Sequence, residues 1–284
     1  MNSILELFGV SSHRLTKELL RAALKNQICP FTETTCFKVR KSQSDISIGT
    51  CSVGYGRENK LIIICPNRLL DKNRVFCDCI HLLTKHEPGN EFHVIPEISI
   101  PGGSIDFFLA SVRNNKVRDF VAIEFQTMDT TGTVWPERQR LLHEKGIKVD
   151  QDDIESAKPF GMNWKMTAKT ILVQMHHKAE TIENLGKHFV LITQNHLLDY
   201  MQQEFRFEHL SQPARLGDSV HFHSYSFEKN GVNNHVLNLS SRLSTDASGI
   251  ASCLGIQAET KIEMDEMVNK LERKISAKTL MTLM

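Results

Sequence analysis

Two apolar segments joined by a short polar turn constrain the fold of this chain more than any other feature. Residues 105–112 (IDFFLASV) and 117–126 (VRDFVAIEFQ) are rich in β-branched and aromatic residues, and residues 113–116 (RNNK) have the composition of a tight turn. The pattern predicts a β-hairpin centred on Asn115. In such a hairpin Asp106 lies opposite Glu124, and both side chains project from one face.

Both acids interrupt sequence that is otherwise apolar enough to be buried on both faces. An unpaired charge there is costly, although an acid on a strand is most often simply solvated. Gln126 shares the face of Glu124 because strand side chains alternate, and Glu97 precedes the hairpin closely enough to reach it as a third acid. Such oxygen clusters hold Mg²⁺, so the sequence predicts a divalent-cation site, with a solvated face as the alternative.

The composition fits a folded protein of ordinary chemistry. The chain has 284 residues, of which 40% are apolar and 24% charged, enough for one large α/β domain with a subdomain or for two small domains. The net charge of +1 selects no class of partner, so a nucleic-acid binder would have to concentrate its basic residues on one face. The sequence has no long apolar run and no secretory pattern at its start, so neither membrane insertion nor secretion is expected.

Six of the seven cysteines lie between residues 29 and 79. Cys29, Cys36, Cys51 and Cys65 follow a C-x6-C-x14-C-x13-C spacing, with the last two at the ends of strand-like segments. Four thiolates placed in this way can hold one tetrahedral metal ion, and buried thiols without metal are the alternative. The remaining cysteines, Cys77, Cys79 and Cys253, are expected only to pack.

Hydrophobic periodicity predicts the other elements. Helices are expected over 13–27, 68–86, 163–183, 197–206 and 259–278, strands over 91–100, 188–193 and 221–227, and a long polar loop over 128–161. The last helix is interpreted as a solvated face or a dimer contact. No HExxH, Walker or dinucleotide-binding glycine pattern occurs in the sequence.

Asp106, the Glu124-x-Gln126 triplet on the next strand and the helix that follows resemble the PD-(D/E)xK nuclease core in its ExQ variant, with the usual proline displaced to Pro101. The wider pattern resembles the NotI-like family of type II restriction endonucleases over residues 25–228. The matching segments are CPF at 29–31, Cys36, CSV at 51–53, CPNRL at 65–69, PGGSIDF at 101–107, IEFQ at 123–126 and NWKMTAKTILVQMHHK at 163–178.

The resemblance implies an α/β fold with a mixed central sheet flanked by helices. It implies an N-terminal helix and four-cysteine DNA-recognition subdomain over 1–90 and a nuclease core with a C-terminal helix over 91–284. The implied activity is Mg²⁺-dependent hydrolysis of double-stranded DNA at a G·C-rich palindrome containing GGCC. A homodimer in the bacterial cytoplasm would carry it out, in a system with a cognate DNA methyltransferase.

The resemblance also assigns roles to single residues. Asp106, Glu124 and Gln126 are the implied catalytic residues, and Asp106 and Glu124, with the carbonyl of Phe125, are the implied Mg²⁺ ligands. A structural iron, or zinc in its place, is implied at Cys29, Cys36, Cys51 and Cys65. Because Gln126 stands where most such nucleases have a lysine, Lys165 or Lys169 from the next helix is expected to supply the missing cation. Lys38, Arg40 and Lys41 are candidates for DNA contacts.

Two other functions remain open from the sequence. One is a non-catalytic, metal-stabilised DNA-binding regulator in which the hairpin acids are remnants. The other is a PD-(D/E)xK repair nuclease without sequence specificity. Mg²⁺-dependent nicking separates the first from a nuclease, and discrete fragments instead of a smear separate a restriction enzyme from the second.

Overall fold

A computed structural model describes residues 3–157, 159–231 and 234–255. The strands are β1 (Ile4–Leu7), β2 (Val10–Ser11), β3 (Val39–Arg40), β4 (Gln43–Ser47), β5 (Thr50–Tyr55), β6 (Lys60–Ile63), β7 (Glu91–Ile100), β8 (Gly103–Arg113), β9 (Lys116–Gln126), β10 (Thr130–Thr131), β11 (Gly161–Met162), β12 (His188–Gln194), β13 (Val220–Asn230) and β14 (Asn234–Thr245). The helices are α1 (Lys17–Asn26), α2 (Arg74–Cys77), α3 (Trp135–Glu144), α4 (Gln151–Glu155), α5 (Trp164–Asn184), α6 (Asn195–Glu204) and α7 (Ala247–Cys253), with 3₁₀ segments at Pro66–Asn73 and Ile80–Leu82.

The largest sheet has six strands in the order β14-β13-β12-β9-β8-β7. Strand β12 is parallel to both β9 and β13, and the other neighbours are antiparallel, so the sheet is mixed. Parallel neighbours need a crossover connection, and α5 lies in the connection between β9 and β12. The prediction of an α/β fold with a mixed central sheet flanked by helices is confirmed.

Helices cover this sheet on both faces. On one face Ala122 and Leu191 pack in a cluster with Ile171 and Met175 of α5. On the other face Ile123 and its neighbours pack against Phe76 and other residues of the segment that contains α2. Strands β9 and β12 are therefore buried on both faces, and each face belongs to a separate hydrophobic cluster.

Four N-terminal strands form a smaller antiparallel sheet, in the order β2-β1-β5-β6, that packs against the ends of the central strands. The Gln194 side chain accepts a hydrogen bond from the Ile63 N–H at 3.0 Å and donates one to Leu61. Ile4 and Val53 belong to the same hydrophobic cluster as Phe108 and Ala122. The predicted domains 1–90 and 91–284 therefore share buried apolar contacts.

Local elements differ from the predictions where polar residues are buried. The predicted loop at 128–161 was wrong, because it contains α3 and α4. The buried face of α3 contains Arg138, which donates to the carbonyls of Ser47 and Ile48. Because a charged residue occupies this face, the sequence shows no obvious apolar stripe. The predicted helix 68–86 breaks at Lys72 and Asn73, whose φ angles are 56° and 55°.

Two further expectations concern the C-terminal third. The strand predicted as half-exposed at 221–227 is β13, and its first six residues are buried because both faces are covered. The predicted helix 259–278 lies outside the described residues. Among the helices within the described ranges, none is long and apolar enough to cross a membrane.

The bend before β8 requires glycine. Gly102 has φ +95°, and a Cβ atom there would lie 2.2 Å from the carbonyl oxygen of His177 in α5. No other residue lets the bend approach the helix backbone this closely.

We predict that Gly102→Ala lowers the free energy of unfolding by about 3 kcal/mol, since backbone strain and a backbone clash add. Gly186→Ala is the matched control, because Gly186 also has a positive φ (+64°) but nothing lies within 4 Å of its added Cβ. That variant should lose only about 1 kcal/mol in urea unfolding. Equal losses in the two variants would contradict the close approach.

Candidate active site

The predicted hairpin exists with the predicted register. Phe107 pairs with Ile123, and the same register continues through Ser111 and Asp119 before it shifts by one residue near the turn. Asn114 and Asn115 form that turn with φ angles of 52° and 57°, the left-handed conformation of a two-residue hairpin loop. Local sequence chemistry therefore determines which residues face one another.

Asp106 and Glu124 lie next to each other where the regular ladder ends. The Oδ2 atom of Asp106 accepts a hydrogen bond from the Phe125 N–H at 2.8 Å. The Asp106 N–H in turn lowers the pKa of the Glu124 carboxyl group. The Asp106 carboxyl group is thus fixed by the backbone of the opposite strand, beside Glu124. The predicted pairing of the two acids is present.

A lysine that the sequence analysis did not single out contacts this pair. Lys178 Nζ donates to Glu124 Oε1 at 2.7 Å, and the side chains are only 6% and 8% exposed, respectively. Gly103 leaves room for this lysine, because a Cβ at Gly103 would lie 3.2 Å from Lys178 Cε. The site is therefore two carboxyl groups and one ammonium group enclosed between the sheet and α5.

Lys165 and Lys169, predicted as candidates for the missing cation, are both exposed. Lys165 stands about 20 Å before Lys178 along the axis of α5, so it does not reach the acids. A signal for Lys178 was present in the sequence. It occupies the apolar stripe formed by Ile171, Met175 and Ile182, where a lysine is buried only if an acid meets it.

Burial and mutual repulsion make the ionised acids costly. The pKa of Glu124 is raised to about 7, first by burial and then by the charge of Asp106, although Lys178 opposes both effects. Burial also raises the pKa of Asp106, and the charge of Glu97 adds to this. Glu124 Oε2 is buried without a hydrogen-bond partner in the described part of the chain. The two acids therefore have one buried oxygen without a donor among the described residues, Glu124 Oε2, and when both are ionised they carry one more negative charge than Lys178 balances.

The other predicted oxygen ligands lie at the edge of this pair. Glu97 is the exposed residue between the paired Pro96 and Ile98, opposite Asp106, and its φ of 47° interrupts the strand. The Gln126 side chain is half-buried and donates to the Thr127 carbonyl at 2.6 Å, so it makes no hydrogen bond to the acids. Phe125 contacts Asp106 through its N–H, and its ring stacks on Phe76 on the other face of the sheet.

The four spaced cysteines are all buried in the N-terminal part of the protein. Both Ile64 and Cys65 donate backbone hydrogen bonds to the Cys51 carbonyl, so Cys51 and Cys65 are close. Burial, and then the charge of Cys65, raises the pKa of Cys51 well above its usual value. The pKa of Cys65 is raised by burial and also by the charges of Cys36 and Cys29, against an opposing effect of Lys38.

Within the described ranges, no group of three or more His, Cys, Asp or Glu side chains is arranged so that it could hold a metal ion. The four thiols are thus neighbours without forming a ligand set. Of the other cysteines, Cys79 and Cys253 are buried as expected, whereas Cys77 is exposed.

Two of the three cations considered for DNA contacts are engaged within the protein. The Lys38 ammonium donates to the Ile64 carbonyl. Arg40 pairs with Asp153 at 3.2 Å and lies over the Trp135 ring at 4.3 Å. Lys41 is exposed at the tip of the β3–β4 hairpin.

Comparisons with known proteins add no assignment: neither a family model nor a curated protein matches the chain. The class that the fold and the site define is a mixed α/β protein with a paired-carboxylate site completed by a buried lysine.

We predict that Lys178→Met lowers the free energy of unfolding at pH 8, without metal, by about 3 kcal/mol, because it leaves buried acids without their cation. The loss should shrink toward pH 5. Because the pKa of Glu124 in the fold (about 7) exceeds its ordinary value of 4.5, its contribution to stability falls as pH rises through this window. Lys169→Met, on the exposed side of the same helix, should stay within about 0.5 kcal/mol. A Lys178→Met loss independent of pH would contradict the pairing.

Proposed function

We propose that this protein is a type II restriction endonuclease that hydrolyses phosphodiester bonds of double-stranded DNA with Mg²⁺. The observation that carries the proposal is the juxtaposition of Asp106, Glu124 and Lys178 at the end of a hairpin. Two carboxylates and an ammonium group are the components that a metal-assisted phosphodiesterase needs. A regulator that only binds DNA has no use for two adjacent buried acids, whose ionised forms cost stability.

The residues present fit a divalent cation. Mg²⁺ is commonly held by one or two carboxylates, with waters and substrate phosphates as its other ligands, so it needs no third acid. Asp106 and the free Oε2 of Glu124 would hold it, with the Phe125 carbonyl as a proposed backbone ligand. Glu97 would bind one of the coordinated waters. When bound, Mg²⁺ polarises the scissile phosphate and lowers the pKa of a coordinated water.

Lys178 takes the part that the motif lysine has in related nucleases. Gln126 carries no charge, so it can only orient the attacking water through hydrogen bonds. The Lys178 ammonium already lies 2.7 Å from Glu124. It holds Glu124 in position and can stabilise the negative charge that develops on the phosphate.

The remaining features of the proposal come from the family resemblance. In this proposal the protein acts as a homodimer on a G·C-rich palindrome that contains GGCC. It works in the bacterial cytoplasm, in a system with a cognate methyltransferase. The alternative is a sequence-nonspecific nuclease with the same core. The fragment pattern in the digestion described below distinguishes the two.

A structural iron or zinc at Cys29, Cys36, Cys51 and Cys65 is the second part of the proposal. Support comes from the burial of all four thiols and from the raised pKa of Cys65, to which both Cys29 and Cys36 contribute. The sulfur atoms would have to draw together on the ion, since no ligand set of three or more exists in the described residues. Such a site would fix the loop-rich N-terminal part and take no part in the chemistry.

Asp106→Asn should lower the cleavage rate at least about a thousandfold while DNA affinity changes little, because a metal ligand is lost but not a surface contact. The assay is digestion of a sequenced phage genome with Mg²⁺, followed by sequencing of the fragment ends, beside a gel shift without metal. Glu91→Gln, an exposed acid on β7, is the control and should cut like wild type. No cleavage by wild type, or equal loss of binding and cleavage in Asp106→Asn, would refute the assignment, and a smear would favour the nonspecific nuclease.

Mg²⁺ affinity should depend on pH through Glu124. A proton and the cation compete for this carboxyl group, whose pKa is about 7, so binding at pH 6 should be about tenfold weaker than at pH 8. Titration calorimetry in metal-free buffer measures both affinities. Glu124→Gln should bind weakly and with little dependence on pH. Equal wild-type affinities at the two pH values would exclude Glu124 as a ligand.

Elemental analysis of the purified protein should find about one iron or zinc per chain. Cys36→Ser should lose this metal, and Cys77→Ser should retain it, because Cys77 is exposed and outside the set. A folded wild-type protein without metal would remove the structural-metal part of the proposal and leave the nuclease part standing.

A further inference from the structure

A cleft well separated from the acid pair opens at the start of α5. Its cavity has a volume of about 460 Å³, in the range of pockets that hold a small organic group. The residues that matter for its chemistry are Tyr55, Trp164, Tyr200, Arg57, Lys60 and Asp199.

Aromatic rings supply the apolar surface of this cleft. The ring centroids of Trp164 and Tyr200 are 5.8 Å apart, and the planes are tilted by 36°. Tyr55 lies against Phe160 with a centroid distance of 6.2 Å. Trp164, Tyr200 and Tyr55 are only half-buried, so part of each ring faces the cavity. Exposed ring faces of this kind stack on nucleobases whatever the base.

The charges around the rings suit a nucleotide. Arg57 and Lys60 are exposed cations beside the cavity. Lys60 Nζ forms an ion pair with Glu58 Oε2 at 3.4 Å. Trp164 in the first turn of α5 and His196 in the first turn of α6 both line the cavity. Neither turn contains an acid or a capping side chain, so both helix dipoles favour an anion. Asp199 is the one acid of α6 on the cavity, and its carboxylate can accept a hydrogen bond from an exocyclic amino group of a base.

We propose that this cleft binds one nucleotide of a DNA strand, with its base turned out of the helical stack against Trp164 and Tyr200 and its phosphate near Arg57 and Lys60. The choice of DNA as the ligand rests on the proposed function. Trp164 precedes Lys178 by about 20 Å along α5, a span of about six base pairs of B-form DNA. On DNA that runs along α5, the contact falls in the sequence that flanks the cleaved step.

Tryptophan fluorescence tests this without cleavage or metal. The chain has two tryptophans, and Trp135 is 6% exposed with its ring between Arg40 and Arg138, so Trp164 is the accessible reporter. A 20-base-pair duplex added to wild type should quench the emission, and Trp164→Phe should remove the quenching. Absence of quenching by bound duplex, or quenching by a free mononucleotide but none by the duplex, overturns the proposal.

Variants measure the stacking and the phosphate contact separately. Tyr200→Leu should weaken duplex binding about five- to a hundredfold, and Tyr200→Phe, which keeps the ring, should bind like wild type. Arg57→Gln should lower the salt dependence of binding by about one phosphate contact. Unchanged affinity in Tyr200→Leu with an unchanged salt slope in Arg57→Gln overturns the proposal.

The outcome is independent of the nuclease assignment. A wild-type protein that binds DNA with quenching but never cuts it contradicts the proposed function and supports the cleft. A protein that cuts DNA while Trp164 emission stays constant supports the nuclease and refutes the cleft.

Discussion

The candidate site depends on a buried ion pair between Lys178 and Glu124, which lies beside a second carboxyl group, that of Asp106. Burial raises the pKa of both acids, and the charge of Asp106 raises that of Glu124 further, so their ionised forms cost stability. The lysine offsets part of this cost, but Glu124 Oε2 still lacks a partner. An arrangement that is unfavourable without a ligand and improves when a cation arrives is typical of functional sites rather than of structural ion pairs.

Contacts from two strands and a helix position the three groups. The Phe125 N–H fixes the Asp106 carboxyl group and Lys178 fixes that of Glu124, so the hairpin register and α5 together determine how the two acids lie. The lysine comes from a helix of 21 residues, and the glycine bend at Gly102 and Gly103 lets β8 begin against that helix. The same helix begins at the aromatic cleft, so one rigid element connects the acid pair with the proposed contact to flanking DNA.

Sequence reasoning succeeded where the structure is local. Alternating residues and an Asn-Asn turn predicted the hairpin and placed Asp106 opposite Glu124. Sequence reasoning failed where contacts between distant parts of the chain form the site. Lys178 is 54 residues from Glu124, and only its place in an apolar helix stripe indicated a buried partner. Helix α3 was missed for a related reason, because its buried Arg138 is satisfied by carbonyls of a distant strand and loop. Both errors came from treating buried polar residues as exposed ones.

The central claim is that Asp106 and Glu124 together bind one divalent cation. A crystal structure with Mn²⁺ in place of Mg²⁺ tests it most directly, because anomalous scattering locates the ion without reference to activity. One peak within about 2.5 Å of a carboxylate oxygen of each acid, with Lys178 still on Glu124, is the predicted result. A saturating ion bound elsewhere, or carboxyl groups that turn away from each other around it, would contradict the account.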